Sequence, residues 1–262
     1  MQRYHGKLIY QAEDELGSIE IVDDGLYRSL HFGTEPKQSS MLLADPVQLT
    51  LSYTRAMTTA LLFCPNPRRF LLLGLGGGSL ARYLLHHYPD GLIDAVEYRP
   101  LVRDLAYSHF ALPDSPRLNV LIDDAGRFLR FADTDMYRDY DVIFTDAFIG
   151  TGIARSVCSA EVFNDYRPRL QPEGMLSMNL WSEDRVQLRD ILDDMQTSFS
   201  HNVMQLPVQG KENVIALASS GYRLKKRLRT VQEQGRTLEH QTGVEYGVFL
   251  RQLRKANSWL SL

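Results

Sequence analysis

The chain has 262 residues, 44% of them hydrophobic and 23% charged, and a net charge of −3. This composition is typical of globular proteins, and the small negative charge argues against binding to nucleic acid or to an anionic membrane. The two cysteines form no Cys-x-x-Cys pair, the histidines have no metal-ligand spacing, and the polar N-terminus has no apolar signal region, so we expect a cytoplasmic protein without a metal site or membrane anchor.

Residues 1–45 are predicted to form a small β-domain. Alternating or β-branched runs predict three short strands: Leu8–Tyr10, Ser18–Val22 and Tyr27–Phe32. Asp24-Gly25 is typical of a hairpin turn between the last two strands. A polar loop from Gly33 to Ser40 follows, and apolar residues at helical spacing predict a helix over Pro46–Phe63.

From Phe70 onward the pattern alternates between strands and helices. The predicted strands are Phe70–Leu73, Leu92–Val96, Leu118–Ile122, Val142–Thr145, Met175–Asn179, Val203–Leu206 and Val214–Ala218. The predicted helices are Leu80–His87, Pro100–Phe110, Gly126–Phe131, Ala160–Leu170 and Val186–Phe199. This alternation predicts an α/β domain over residues 46–220, with a parallel sheet covered by helices on both faces. Residues 221–262 are predicted to be a basic helical extension.

A cluster of glycines follows the first strand of this domain, in FLLLGLGGGSLARYLL. Gly74, Gly76, Gly77 and Gly78 predict a turn that lets a ligand approach the backbone and the start of the next helix. The match to the dinucleotide pattern G-x-G-x-x-G is imperfect because Ser79 occupies the last position, and no P-loop lysine follows. A purely structural turn is the alternative interpretation.

Acidic residues end the next three predicted strands. Glu97 follows Gly76 by 21 residues, a spacing typical of a carboxylate that binds ribose hydroxyls. In Asp123-Asp124-Ala125, a carboxylate can accept a hydrogen bond from an adenine amino group. Asp146 would lie beside the sulfur of an adenosyl sulfonium, where it could take a proton from an attacking amine or, alternatively, only cap a helix. The pattern favours an adenosyl compound without phosphates, such as S-adenosylmethionine.

Several segments resemble motifs of the spermidine synthase, or polyamine aminopropyltransferase, family. They are PNPRRFLLLGLGGGSL, AVEYRPLVRDLAYSHF, SPRLNVLIDDAGRFL, YDVIFTDAF and VFNDYRPRLQPEGMLSMN, and the resemblance covers roughly residues 4–220. It implies a Rossmann-like S-adenosylmethionine-dependent methyltransferase fold with a small N-terminal β-domain. It also implies a homodimer that moves an aminopropyl group from decarboxylated S-adenosylmethionine, a co-substrate and not a permanently bound cofactor, to a small-molecule amine, releasing methylthioadenosine.

The resemblance also implies roles for individual residues. Glu97 would bind ribose, Asp124 with Ala125 would bind adenine, and Asp146 would accept the amine proton. Gln38 is similar to the family glutamine near the adenosyl ligand. Tyr53 is similar to the tyrosine of the family's Y-x-E helix, which lines the amine site.

Three carboxylates of the family pattern are missing. Gly77 replaces the aspartate of the glycine loop, Ile149 replaces the second aspartate of D-S-S-D, and Arg55 replaces the glutamate of Y-x-E. A buried cation without a paired anion costs several kcal/mol, so we expect putrescine to be a poor acceptor unless other acids serve. Three acids are candidates for that role: Asp45, Asp94 and Glu161.

These departures leave two alternatives to aminopropyl transfer. Loss of the glycine-loop aspartate also removes repulsion against the carboxylate of intact S-adenosylmethionine, which would suit a methyltransferase on the same fold. A non-catalytic adenosyl-binding homologue is the second alternative. The N-terminal β-region favours aminopropyl transfer, because plain methyltransferases often lack it.

Overall fold

A computed structural model describes residues 4–149, 152–219, 221 and 223–258. Its N-terminal part is a four-stranded antiparallel sheet in the order β1-β2-β3-β4. The strands are β1 (Lys7–Asp14), β2 (Gly17–Asp23), β3 (Tyr27–His31) and β4 (Ser39–Leu42). Apolar side chains of this sheet, such as Ile19 and Leu30, form one buried cluster with Leu105 and Phe110.

A seven-stranded sheet forms the centre of the molecule, in the order β12-β13-β11-β8-β5-β6-β7. Its strands are β5 (Arg69–Leu73), β6 (Leu92–Glu97), β7 (Leu118–Ile122), β8 (Tyr140–Thr145), β11 (Leu170–Trp181), β12 (Val203–Pro207) and β13 (Asn213–Ser219). The five strands from β11 to β7 are parallel; β13 pairs antiparallel with β11, and the edge strand β12 pairs antiparallel with β13. Between β8 and β11 along the chain, β9 (Phe148–Ile149) and β10 (Gly152–Ile153) form a separate two-stranded pair.

Helices cover both faces of the central sheet. They are α1 (Ser52–Met57), α2 (Ser79–His87), α3 (Pro100–His109), α4 (Ala125–Phe131), α5 (Ala160–Tyr166), α6 (Arg185–Ser198), α7 (Leu224–Arg227), α8 (Gln232–Thr242) and α9 (Tyr246–Ala256). One face packs against α1, α2 and the C-terminal helices, and the other packs against α4, α5 and α6. Since both faces are covered, the central strands are continuously apolar, as the sequence indicates.

Two predicted helices are too long. Instead of beginning at Pro46, α1 begins at Ser52, because Leu49 forms a β-bridge to Met41 and Leu51 is extended. It tightens into a 3-10 turn over Thr58–Phe63, where the Thr58 hydroxyl donates to a carbonyl three residues back. The helix predicted over 160–170 ends at Tyr166, because Pro168 lacks the N–H that the next turn needs.

The N-terminal sheet is larger than predicted. The polar loop was predicted to run as far as Ser40, but β4 already begins at Ser39 and pairs with β3. β1 extends to Asp14 although its outer residues are polar, because antiparallel pairing with β2 supplies their backbone hydrogen bonds. The division at residues 45 and 220 stays a prediction.

The C-terminal extension is helical, as predicted, and it docks on the central sheet. Helix α9 buries Phe249, Leu250 and Leu253 against the face that also carries α1 and α2. No helix in the described residues is both long and apolar enough to cross a bilayer.

Candidate active site

The glycine turn lies at the switch point of the central sheet, between the adjacent strands β5 and β8. Helical connections leave these two strands in opposite directions, and such a point is the usual ligand crevice of an open parallel sheet. Gly74, Gly76 and Gly78 have φ values of +99°, +53° and +73°, which only glycine adopts easily. A Cβ at Gly74 would overlap the backbone carbonyl of Asp146, so this glycine lets the two strand ends meet.

The backbone N–H groups of the turn are bonded within the protein. Those of Leu75 and Gly76 donate to Glu97 Oε2, at 3.1 and 3.2 Å. The N–H of Gly77 donates to Ser39 Oγ at 2.8 Å, and that of Gly78 donates to the Leu75 carbonyl at 2.9 Å. A phosphate would need some of these donors, so their use supports the prediction of a ligand without phosphates.

The carboxylate of Glu97 belongs to a residue that is 8% exposed, and it organises the turn from the end of β6. Besides the two N–H groups of the turn, it accepts a hydrogen bond from Arg99 N at 2.9 Å. Burial raises the pKa of Glu97, and these backbone hydrogen bonds oppose the rise. A carboxylate offers about four acceptor positions, and the Tyr98 N–H also interacts with this one, so a ribose hydroxyl would share the last position with that N–H.

We expect Glu97→Gln to lower both stability and adenosyl affinity. A glutamine amide has one acceptor oxygen, so its NH2 group would face either Arg99 N–H or the turn. An unsatisfied buried donor lowers the free energy of unfolding by about 1–3 kcal/mol, and removal of the buried negative charge offsets part of this loss. Urea unfolding and calorimetric titration with S-adenosylhomocysteine would measure both effects. Glu161→Gln is the matched control, because Glu161 is exposed and its carboxylate contacts Arg130 at 3.4 Å on the surface; an equal loss in both variants would contradict this role.

Asp146 and Tyr53, the two predicted catalytic residues, are brought into contact. Asp146 follows β8 directly, and its N–H donates to the Leu73 carbonyl at 2.8 Å. The Tyr53 side chain, from the first turn of α1, reaches the Asp146 carboxylate, and this interaction lowers the pKa of Asp146. Asn179, on β11, donates from Nδ2 to Asp146 Oδ1 at 2.8 Å. The aspartate is therefore held from both sides.

The surroundings of this cluster favour proton transfer. Burial raises the pKa of Asp146, while the hydrogen bonds from Asn179 and Tyr53 partly oppose the rise. Burial, together with the charge of Asp146, raises the pKa of Tyr53 well above its usual value. Tyr53 thus stays protonated as a donor, and Asp146 is a stronger base than an ordinary carboxylate once it is ionised.

The predicted adenine residues lie at the end of β7. Asp124 is the N-cap of α4: its Oδ1 accepts from Arg127 N at 2.8 Å, and its Oδ2 accepts from Ser156 Oγ at 3.2 Å. Ala125 is the first residue of the helix and is 7% exposed. Each Asp124 oxygen has one of these partners, which leaves acceptor positions for a ligand amino group. Asp124 therefore caps α4 and still has acceptor capacity for the predicted contact with adenine.

The position of the missing glycine-loop aspartate is closed by neighbouring groups. A Cβ on Gly77 would lie 3.0 Å from both Ser39 Cβ and Phe110 Cδ1, which is tighter than nearly all real contacts. Gln38 precedes Ser39, and its backbone carbonyl lies 4.0 Å from the corresponding Cβ position on Gly76. The edge of the N-terminal sheet therefore borders the turn, and the role of Gln38 near the adenosyl ligand stays a prediction.

The proposed substitute acids lie elsewhere. Asp45 is exposed and accepts from Val47 N, and Glu161 pairs with Arg130 on the surface. Asp94 accepts hydrogen bonds from Asn119 and from the hydroxyl of Tyr140, the first residue of β8 and hence at the opposite end of that strand from Asp146. None of these contacts joins them to the Tyr53–Asp146 pair, so the structure does not support these three acids as substitutes.

Arg55 and Ile149 complete the predicted departures. Arg55 lies on the other side of α1 from Tyr53, where its Nε donates to both carboxylate oxygens of Glu245 at 3.0 Å. It also donates to the carbonyls of Leu49 and Thr50 at 3.0 and 2.9 Å. Through Glu245 and these two carbonyls, Arg55 links the C-terminal extension to α1 and to the segment before it. The side chain of Ile149 lies outside the described part of the chain.

Three polar residues of the site are missing from the sequence-based prediction. Asn179 interrupts the apolar run MLSMNLW at the end of a predicted strand, and the logic that selects Glu97 and Asp146 could have selected it. Asn213, whose Nδ2 donates to Asn179 Oδ1 at 3.0 Å, and Ser39 carry no comparable signal. Their roles depend on contacts between distant segments.

Comparisons with known proteins bear on the family of this chain. No model of a protein family matches it. The polyamine aminopropyltransferase of Chromobacterium violaceum is 32% identical over 248 residues, covering 94% of this chain and 93% of the relative. A probable spermidine synthase from Corynebacterium glutamicum superposes with a TM-score of 0.71 at 22% identity, covering 86% of this chain and 85% of the other.

A methyltransferase structure is also similar. Human Methyltransferase-like protein 13, in complex with SAH, superposes with a TM-score of 0.62 at 25% identity, covering 72% of this chain and 93% of the other. Together the comparisons confirm the predicted fold class, a Rossmann-like methyltransferase fold. They also confirm the predicted relationship and the class of enzyme, a transferase. The chain belongs to the polyamine aminopropyltransferase family.

Proposed function

We propose that the chain transfers an aminopropyl group from decarboxylated S-adenosylmethionine to a small-molecule amine, and that Asp146 is the proton acceptor. The observation that carries the proposal is the Asp146 carboxylate, held by Tyr53 and Asn179 beside the glycine turn. Family membership supports the same reaction. The cytoplasmic location and the homodimer stay predictions.

The reaction is a displacement at carbon. The amine nitrogen attacks the aminopropyl carbon bonded to the sulfonium, the carbon–sulfur bond breaks, and its electron pair stays on sulfur in methylthioadenosine. The new ammonium loses a proton to Asp146. Because the sulfonium is already an activated leaving group, the protein's main tasks are to position the amine and accept this proton.

The adenosyl group would be held by residues at three strand ends. Glu97 has an acceptor position for a ribose hydroxyl, and Asp124 has one for the adenine amino group. The turn itself, with the N–H groups of residues 75–78 already bonded, would offer a flat backbone surface to the ligand. A ligand bearing an adenosyl group is consistent with human Methyltransferase-like protein 13, which was solved with SAH.

Methyl transfer from intact S-adenosylmethionine is a second candidate. It is favoured by Gly77, where Ser39 and Phe110 occupy the space that an aspartate would need. Without that carboxylate, the aminopropyl ammonium lacks a partner at this position, and the carboxylate of the intact compound meets no repulsion.

Identifying the released nucleoside separates the candidates. The purified protein would be incubated with either S-adenosylmethionine or its decarboxylated form and a panel of monoamines and diamines, with the nucleosides separated by chromatography. We expect methylthioadenosine from the decarboxylated compound, with putrescine a poor acceptor. S-adenosylhomocysteine would instead support methylation, and binding without either product would support the non-catalytic homologue.

A further inference from the structure

A chain of two asparagines ends on the Asp146 carboxylate. Asn213, at the start of β13, donates from Nδ2 to Asn179 Oδ1 at 3.0 Å. Asn179, 2% exposed within β11, donates from its own Nδ2 to Asp146 Oδ1 at 2.8 Å. The antiparallel pairing of β11 with β13, in which Trp181 faces Asn213, brings the two amides together.

This order of donors fixes which way the Asn179 amide points. If the amide were reversed, its carbonyl oxygen would face the Asp146 carboxylate, and its NH2 would face the NH2 of Asn213. The contact with Asp146 would be unfavourable whichever way Asn213 points, and in the observed orientation Asn213 supplies the donor that Asn179 Oδ1 needs, so the two contacts together favour the orientation in which Asn179 donates to Asp146. Asn179 is buried, so if its hydrogen bond from Asn213 were removed, water would not readily supply a donor in its place.

We propose that Asn179 and Asn213 are positioning residues, which hold the Asp146 carboxylate toward the attacking amine and keep it ionised. The inference rests on the proposed function of Asp146. Neither asparagine needs to touch the substrate, since each acts through the next residue of the chain.

The groups that face Asp146 define how the proposal can be tested. Among the residues that the structure describes, Tyr53 from α1 is the titratable side chain that reaches the carboxylate, Asn179 is the amide donor from β11, and β5 leads into the Gly74 backbone that packs on Asp146. Hydrogen bonds to an ionised carboxylate lower its pKa. Loss of the Asn179 donor should therefore raise the pKa of Asp146.

The test is a carbon-13 NMR titration of aspartate side-chain carboxyls, with Asp146→Asn to assign the Asp146 signal. In Asn179→Leu, which keeps the branched shape and the number of heavy atoms but removes the donor, we expect the Asp146 midpoint to rise by about one pH unit. Asn213→Ala should raise it by less, because Asn179 keeps some population of the correct orientation. Asn119→Ala is the matched control: it removes an Asn–Asp hydrogen bond of 2.9 Å, to Asp94, and should leave Asp146 unchanged.

An Asp146 titration that is the same in wild type and in both folded site variants would overturn the proposal. Asn213→Ala, a change in a half-buried residue, keeps the test available if Asn179→Leu does not fold. A merely structural role would lower the melting temperature without moving this midpoint. Because the titration needs no turnover, it tests the asparagine chain even if the transfer assay fails, and the two proposals can fall separately.

Discussion

Replacing Asp146 by asparagine is expected to reduce transfer by about 10²–10⁴-fold while the protein stays folded and binds its adenosyl ligand. An asparagine oxygen can still accept the hydrogen bond from Asn179, and the Tyr53 hydroxyl can accept one from the new NH2 group, so the geometry of the cluster should survive. What is lost is the basic lone pair that takes the amine proton. The rate would be measured at saturating amine, and binding by calorimetry with S-adenosylhomocysteine.

The same variant should not lose stability at neutral pH. Burial raises the pKa of Asp146 above its value in the unfolded chain, so ionising the carboxyl disfavours the folded state. This group favours folding fully at pH values below its unfolded pKa, and its contribution is lost as pH rises through the raised, folded pKa. Asp146→Asn removes that loss, and thermal unfolding near pH 7 should give an equal or higher melting temperature.

The pH profile and a control complete this test. Wild-type transfer should fall as acid protonates Asp146, starting at a higher pH than for an ordinary aspartate. Asp45→Asn is the matched control, because Asp45 is exposed and an asparagine can keep its bond to Val47 N. Transfer that persists in Asp146→Asn, or is lost equally in Asp45→Asn, would contradict the assignment.

We expect Gly74→Ala to be the most destabilising change in the glycine turn, by about 3 kcal/mol or more. Gly74 has a φ of +99°, and an added Cβ would lie 2.9 Å from the carbonyl carbon of Asp146 and closer still to its oxygen. Backbone cannot move aside as a flexible side chain can. The ends of β5 and β8 would have to separate, which would also displace Asp146 and abolish transfer.

A second glycine, Gly210, distinguishes the cost of backbone strain from the cost of steric overlap by the added Cβ. Gly210 has a φ of +70°, but a Cβ there would meet nothing within 4 Å. Gly210→Ala should therefore cost only the backbone strain, about 1–2 kcal/mol, and should leave transfer unchanged. Urea unfolding of both variants measures the difference, and equal losses would show that close packing at Gly74 is unimportant.

Local sequence pattern was sufficient to predict the strands of the central sheet and the acidic residues of the site. The strands were predicted because both faces of the sheet are buried, which makes each strand a continuous apolar run. Glu97, Asp124 and Asp146 could be selected because the carboxyl ends of parallel strands meet at one edge, so a polar residue ending each run becomes a neighbour of the others. Helix limits were less accurate where a proline or a long-range bridge decided them.

By itself, the sequence determined the alternation of elements, the glycine turn and the acids at the strand ends, because each depends on residues close together in the chain. Apart from Tyr53, which the family resemblance indicates, tertiary structure alone decided which side chains complete the site. Tyr53 and Asn179 reach Asp146 from distant segments, Asn213 reaches Asn179, and Ser39 closes the space at Gly77. Such contacts depend on how the N-terminal sheet, α1 and β13 pack, and no local pattern records that packing.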